Sequence, residues 1–117
     1  MEYVQSFRDL EVYKLARRLS LKIYELTKSF PNEEMYSLTD QIRRSSRSVG
    51  AQIAEAWAKR RYEKHFTSKL TDADGEQQET QHWIETSLDC NYLSVEQGKD
   101  LLERYNFVLQ TCKIVFF

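Results

Sequence analysis

Three glycines, one proline and two cysteines in 117 residues leave this chain with little of what interrupts a helix or staples a loop. A composition so poor in turn formers suits long helices and argues against a sandwich or barrel. The two cysteines, Cys90 and Cys112, form no CxxC pair and have no histidine at ligand spacing, so they define neither a zinc site nor a disulfide framework. Two reduced, buried thiols are expected. On an antiparallel hairpin turning near residue 93 they would stand more than ~20 Å apart, beyond the reach of an intrachain bridge. Long apolar runs are missing as well. The first thirty residues carry Arg8, Asp9, Glu11 and Lys14, and neither a secretory h-region nor a membrane span is found, so a cytoplasmic location and no membrane partner are expected. There is no Gly-rich phosphate loop, no Gly-x-Ser-x-Gly elbow and no plausible Cys-His pair. The expectation is a protein that is not an enzyme, with no cofactor and no small-molecule substrate.

What is present points to helices. With 41% hydrophobic and 30% charged residues, the chain predicts one core and one domain over residues 1–117. Four segments show a helical period. The first starts near Asp9 as N-cap and carries Leu15, Leu19, Ile23, Leu26 and Phe30, ending before Pro31. Ser37 then caps a second, with Asp40 at N3 and Leu38, Ile42, Val49, Ile53 and Trp57 along one stripe. The third runs from about Tyr62 to Tyr92, with Phe66, Leu70, Ala73, Thr80, Ile84 and Leu88 inward and Gly75 as a tolerated irregularity. Ser94 and Gln97 form a capping-box pattern that opens the fourth, whose stripe is Leu101, Tyr105, Val108, Cys112 and Val115. Four such helices joined by short loops predict an all-α, antiparallel up-down-up-down four-helix bundle.

The second helix has two further properties. Small side chains crowd its middle, and Ala51, Ala54 and Ala58 fall roughly opposite Leu38, Val49 and Ile53 on a helical wheel. A helix apolar on two sides suggests a subunit interface at those alanines, the alternative being that they only favour helix on a solvated face. The second property is charge. The net charge of -1 is unevenly spread, with seven basic and three acidic residues over 37–64, and one basic and six acidic over 65–93. Arg43, Arg44 and Arg47 sit near the start of the helix, and Lys59, Arg60 and Arg61 at its end. Arginine clusters suit phosphate, so these six are candidate contacts to RNA or DNA, unless they pair with acids and simply solvate the surface.

Glu79-Thr80-Gln81-His82 is a Glu-x-x-His motif of the kind that di-iron bundles use twice. The second copy is missing, because His65 follows Tyr62 at the equivalent spacing, so no metal site is expected. Glu76, Glu79 and His82 read instead as a polar stripe, and a buried Glu55 or Glu79 bonded to Arg or Tyr is a plausible structural element.

The residue order carries a family resemblance. The run Phe7-Arg8-Asp9-Leu10-Glu11-Val12-Tyr13-Lys14-Leu15-Ala16 is followed by Phe30-Pro31 and by Tyr36-Ser37-Leu38-Thr39-Asp40-Gln41-Ile42-Arg43-Arg44. Ser48-Val49-Gly50-Ala51-Gln52-Ile53-Ala54-Glu55, Phe66, Ser68-Lys69-Leu70, Ala73, Glu79 and Tyr92-Leu93 continue it. Together these resemble the bacterial four-helix-bundle family whose genes are often found in intervening sequences of 23S ribosomal RNA genes. The resemblance implies a left-handed bundle, a ring-like homopentamer and a largely unassigned function. The chain is also distantly similar to the accessory protein of diversity-generating retroelements, which is implicated in nucleic-acid binding. Gln52 and Ala56 stand where the family usually has Asn and Gly. The functional expectation is therefore a homo-oligomeric interaction or scaffold protein, with RNA or DNA binding as the alternative and a metal-dependent enzyme as a remote one.

Overall fold

The computed structural model describes the backbone of residues 4–116 and the side chains of 4–108 and 110. A 3-10 turn at Phe7–Asp9 precedes α1 (Glu11–Thr27), and a second at Asn32–Glu34 precedes α2 (Leu38–Ala58). The helices α3 (Glu63–Asp89) and α4 (Val95–Phe116) complete the chain. Each helix packs on its neighbours in sequence and α1 closes on α4, which leaves α1 diagonal to α3 and α2 diagonal to α4. Cross-links fix the direction: Ser45 meets Thr80 and Gln52 meets Lys69, so residue numbers rise along α2 as they fall along α3. Gln81 meets Asn106 between α3 and α4, and Lys22 meets Asp100 between α1 and α4. The result is the expected all-α, antiparallel four-helix bundle.

The apolar stripes converge on one core. Val12, Ala16, Leu19 and Ile23 come from α1, Leu38, Ile42, Val49 and Ile53 from α2, Ala73 and Ile84 from α3, and Leu101, Tyr105 and Val108 from α4. Leu15, Leu26 and Leu88, expected inside, are half-buried and pack against its edge. Cys112 and Val115 lie outside the described side chains. The inward face of α3 sets small or polar side chains, Ala73, Gln77, Thr80 and Ser87, alongside the larger Leu70 and Ile84, all of them buried. That lets α2 come close, and the hydroxyls of Thr80 and Ser45 share a buried hydrogen bond of 2.9 Å.

The helix ends differ from expectation where a capping side chain has a stronger partner. Asp9 does not cap α1. Its carboxylate accepts from the backbone N–H of Gln5 (3.0 Å) and of Ser6 (3.2 Å), and the Ser6 hydroxyl accepts from Arg8 N–H (3.0 Å), a complete capping box on the preceding turn. Ser37 precedes α2 but makes no side-chain cap. Its hydroxyl donates to Glu34 (2.6 Å), whose other carboxylate oxygen accepts from Tyr92 (3.0 Å). Hydrogen bonds from Ser37 and Tyr92 hold the Glu34 carboxyl below its usual range. The fourth helix starts as its sequence predicts, with Gln97 N–H donating to Ser94 Oγ (3.1 Å) and Ser94 N–H to Gln97 Oε1 (2.9 Å).

At the α3–α4 corner Asn91 adopts φ 60, in the left-handed region that asparagine tolerates. Tyr92 N–H then reaches Ser87 C=O (2.9 Å) and Asn91 N–H reaches Leu88 C=O (3.0 Å), the bond pattern of a Schellman motif. Cys90, the last residue before this corner, is exposed, which corrects the expectation of burial. The end of α3 turns it to solvent.

Gly75 and Gly98 make opposite predictions. A Cβ at Gly75 would meet nothing within 4 Å, whereas one at Gly98 would lie 2.5–2.7 Å from three carbon atoms of Leu88. Gly75→Ala should stabilise by about 1 kcal/mol through helix propensity. Gly98→Ala should destabilise by about 1–3 kcal/mol through overpacking. Urea unfolding of both variants followed by far-UV circular dichroism checks the two signs.

Candidate functional site

The six α2 residues expected to contact nucleic acid do not share one surface. Arg43 and Arg47 turn toward α1, where both guanidinium groups lie over the Tyr24 ring, at 4.8 and 5.6 Å from its centroid. Lys28 approaches the same ring at 4.9 Å. Arg43 is also fixed by its Nε, which donates to Thr27 Oγ1 (2.8 Å), and Thr27 in turn donates to Ile23 C=O (2.8 Å). Arg44 points elsewhere and faces Asp40 at 3.8 Å. Lys59 to Arg61 begin sixteen residues after Arg43, roughly 24 Å along the helix axis. There Arg60 stacks on Trp57 at 4.2 Å and donates to its backbone carbonyl at 2.9 Å.

A different set of cations gathers around Arg47. An open groove of about 670 Å³ runs along α1 and is lined by Arg8, Tyr13, Lys14, Arg17, Arg18, Ser20, Leu21, Tyr24 and Arg47, with no carboxylate among them. Lys14 is paired with Glu11 at 3.3 Å. Arg8, Arg17, Arg18 and Arg47 form no ion pair within 4.0 Å among the described residues. Sequence reasoning missed the α1 part of this set. Arg8, Arg17 and Arg18 are diluted by acids when charge is counted along the chain, and the arginines unite only when α1 is laid against α2.

The small-residue side of α2 adjoins the groove. A cleft of about 320 Å³ is lined by Phe7, Tyr13, Ala16, Gly50, Ala51 and Ala54, and meets the groove at Arg17, Ser20 and Arg47. Ala51 and Ala58 are exposed and Ala54 is half-buried. Ser45, Ser46, Gly50 and Ala56 are buried. The small residues therefore divide between the bundle interior and an outer strip.

The remaining polar candidates are occupied structurally. Glu79 accepts from the indole N–H of Trp83 (3.2 Å), and His82 packs edge-on against the same ring at 4.6 Å. Among the described residues no three His, Cys, Asp or Glu side chains gather as a metal site. Neither Glu55 nor Glu79 is buried, contrary to expectation, because both sit on outer faces, and Glu55 pairs with Lys69 at 2.7 Å. Hydrogen bonding to Lys69 keeps the Glu55 carboxyl below its usual range and raises the Lys69 ammonium. Glu76 is shifted up, chiefly by desolvation and then by Glu79. Tyr105 is fully buried, and burial pushes its phenol far above the usual range, so it stays protonated at neutral pH.

These features define an all-helical bundle with one cationic groove beside one small-residue cleft. The model of the family described as 23S rRNA-intervening sequence protein matches residues 8–113, and the chain belongs to that family. It is similar to a solved structure from Bacteroides thetaiotaomicron, a protein of unknown function from the S23 ribosomal protein family. The two are 27% identical, with a TM-score of 0.80 over 89% of this chain and 93% of that one. No curated protein matches this chain. No helix among the described residues is long and apolar enough to cross a membrane.

Among the described residues the Tyr105 hydroxyl has no hydrogen-bond partner in its buried position. Removing an unpartnered buried hydroxyl removes a desolvation cost of about 1 kcal/mol or more. Tyr105→Phe is therefore expected to raise the free energy of unfolding by about 1 kcal/mol in a denaturant titration, and a clear loss of stability would contradict the assignment.

Proposed function

We propose that this chain is a non-enzymatic interaction protein that assembles with copies of itself through the outer, small-residue side of α2. The observation that carries this reading is the outer strip of α2, where Ala51 and Ala58 are exposed and Ala54 is half-buried, so that small apolar side chains face away from the core. Beside Ala51 and Ala54 lies the cleft of about 320 Å³ that Phe7 and Tyr13 also line, a recess that a neighbouring helix could enter. Gly50 lies beneath that strip, buried against Tyr13, where a Cβ would be in ordinary contact at 3.7 and 4.0 Å. The ring-like pentamer implied by the family resemblance is the expected assembly, and the occupied partners of Glu79 and His82 support a role without catalysis.

RNA or DNA binding through all six α2 cations is less favoured in that form, because Arg43 and Arg47 lie on a different part of the surface from Arg44 and the Lys59 to Arg61 cluster. The self-association reading makes a direct prediction. Light scattering at micromolar concentration should give a mass several times the chain's 14.0 kDa. Ala51→Glu with Ala58→Glu should reduce it to the monomer mass while leaving helix content unchanged. Gly50→Ala, whose added methyl would meet only the Tyr13 ring, should leave the assembled mass unchanged and raise stability by up to about 1 kcal/mol. A wild-type monomer would remove the basis of the proposal.

A further inference from the structure

We propose that the α1–α2 groove binds the phosphodiester backbone of a nucleic acid through Arg8, Arg17, Arg18 and Arg47. This does not depend on self-association and uses three arginines of the α1 side that the α2 basic clusters do not include. The first support is charge placement. These four guanidinium groups lack carboxylate partners within ion-pair distance among the described residues, and no acid lines the groove. The acidic side chains of 65–93 belong chiefly to α3, which is diagonal to α1. The chain thus keeps a cationic face although its net charge is -1.

The second support is chemical. Guanidinium offers paired donors in a planar fork that matches phosphate oxygens, and it stays charged at any relevant pH. Shape gives the third. A site for a small molecule buries most of its ligand, whereas this groove of about 670 Å³ is open to solvent and continues into the neighbouring cleft. An open trough suits a chain that passes through it.

Contact falls on the backbone rather than the bases. The aromatic side chain at the centre of the face, Tyr24, is already engaged by Lys28, Arg43 and Arg47 within 6 Å of its ring. The large exposed aromatic side chains Tyr36, Tyr62 and Phe107 do not line the groove. Tyr13, the other aromatic side chain of the groove, is half-buried and already in edge-on contact with Phe7 at 4.8 Å, so binding is sequence-tolerant and salt-dependent.

The test is anisotropy titration of a labelled random-sequence DNA duplex at two salt concentrations, with the mass of every variant checked by light scattering. Four phosphate contacts give a slope near -3.6 in log affinity against log salt, a loss of roughly 150-fold between about 50 and 200 mM. Arg17→Ala with Arg47→Ala should lower the magnitude of that slope by about 2. Because Arg17 and Arg47 also border the small-residue cleft, Arg8→Ala with Arg18→Ala repeats the measurement away from it and should give the same change. Lys64→Ala with Lys99→Ala, two exposed cations outside the groove, should leave the slope as it is. Absence of binding at low salt would overturn the proposal. So would an equal loss in the groove and control variants, or displacement of the duplex by millimolar inorganic phosphate beyond the effect of matched sodium chloride.

Discussion

Close packing of α2 on α3 is the constraint around which the rest of the bundle is arranged. It depends on side chains that take little room, and the buried hydroxyl pair Ser45–Thr80, only 2.9 Å apart, marks the point where the two helices meet. A larger residue at either position would push the helices apart and leave the α3 polar face without partners. Bulk is supplied from the other side, by Leu19 and Ile23 of α1 and by Leu101 and Tyr105 of α4. The outer seam between α1 and α4 is tied more lightly, by Lys22 bonded at 3.0 Å to Asp100, which Arg104 of the same α4 helix also contacts at 3.0 Å. Those two bonds hold the Asp100 carboxyl below its usual range, but the pairs are solvent-exposed and contribute little to stability.

The helices themselves were legible in the sequence because their apolar residues recur at spacings of three and four, a signal that needs no tertiary information. The same holds for the Ser94–Gln97 box, whose partners are three residues apart. Ser37 shows where such reasoning stops. Its local context matches an N-cap, yet its hydroxyl is taken by Glu34, which is positioned in turn by Tyr92 from 58 residues away. Glu34 is a charged acceptor and makes the stronger bond. Asp9 was misplaced by one short turn for a related reason, since Ser6 offers it a complete reciprocal box.

The candidate site was less legible than the fold. A count of charge along the chain found the basic character of α2 and missed that of α1, where Glu11 and Glu25 lower the sum but are taken in space by Lys14 and Lys28, which leaves Arg17 and Arg18 without an ion pair among the described residues. Arg44 illustrates the converse error. It adjoins Arg43 in sequence and lies one residue, about 100°, around the helix, which is enough to send it to Asp40 while Arg43 goes to Tyr24. Ala51 and Ala58 are exposed, as their position opposite Leu38, Val49 and Ile53 on the wheel requires, but the cleft that Ala51 and Ala54 border takes shape only once Phe7 and Tyr13 are placed beside them.

The cluster at Tyr24 has a consequence for the dynamics of this face. Arginine and lysine side chains normally lose up to about 2 kcal/mol of rotamer freedom when they are fixed. Arg43 is held by Thr27 and by the ring, and Arg47 leans on the same ring, so part of that freedom is lost when the bundle folds. Whatever meets these guanidinium groups afterwards meets side chains whose range of motion is already narrowed, and the entropic cost of the encounter is correspondingly smaller.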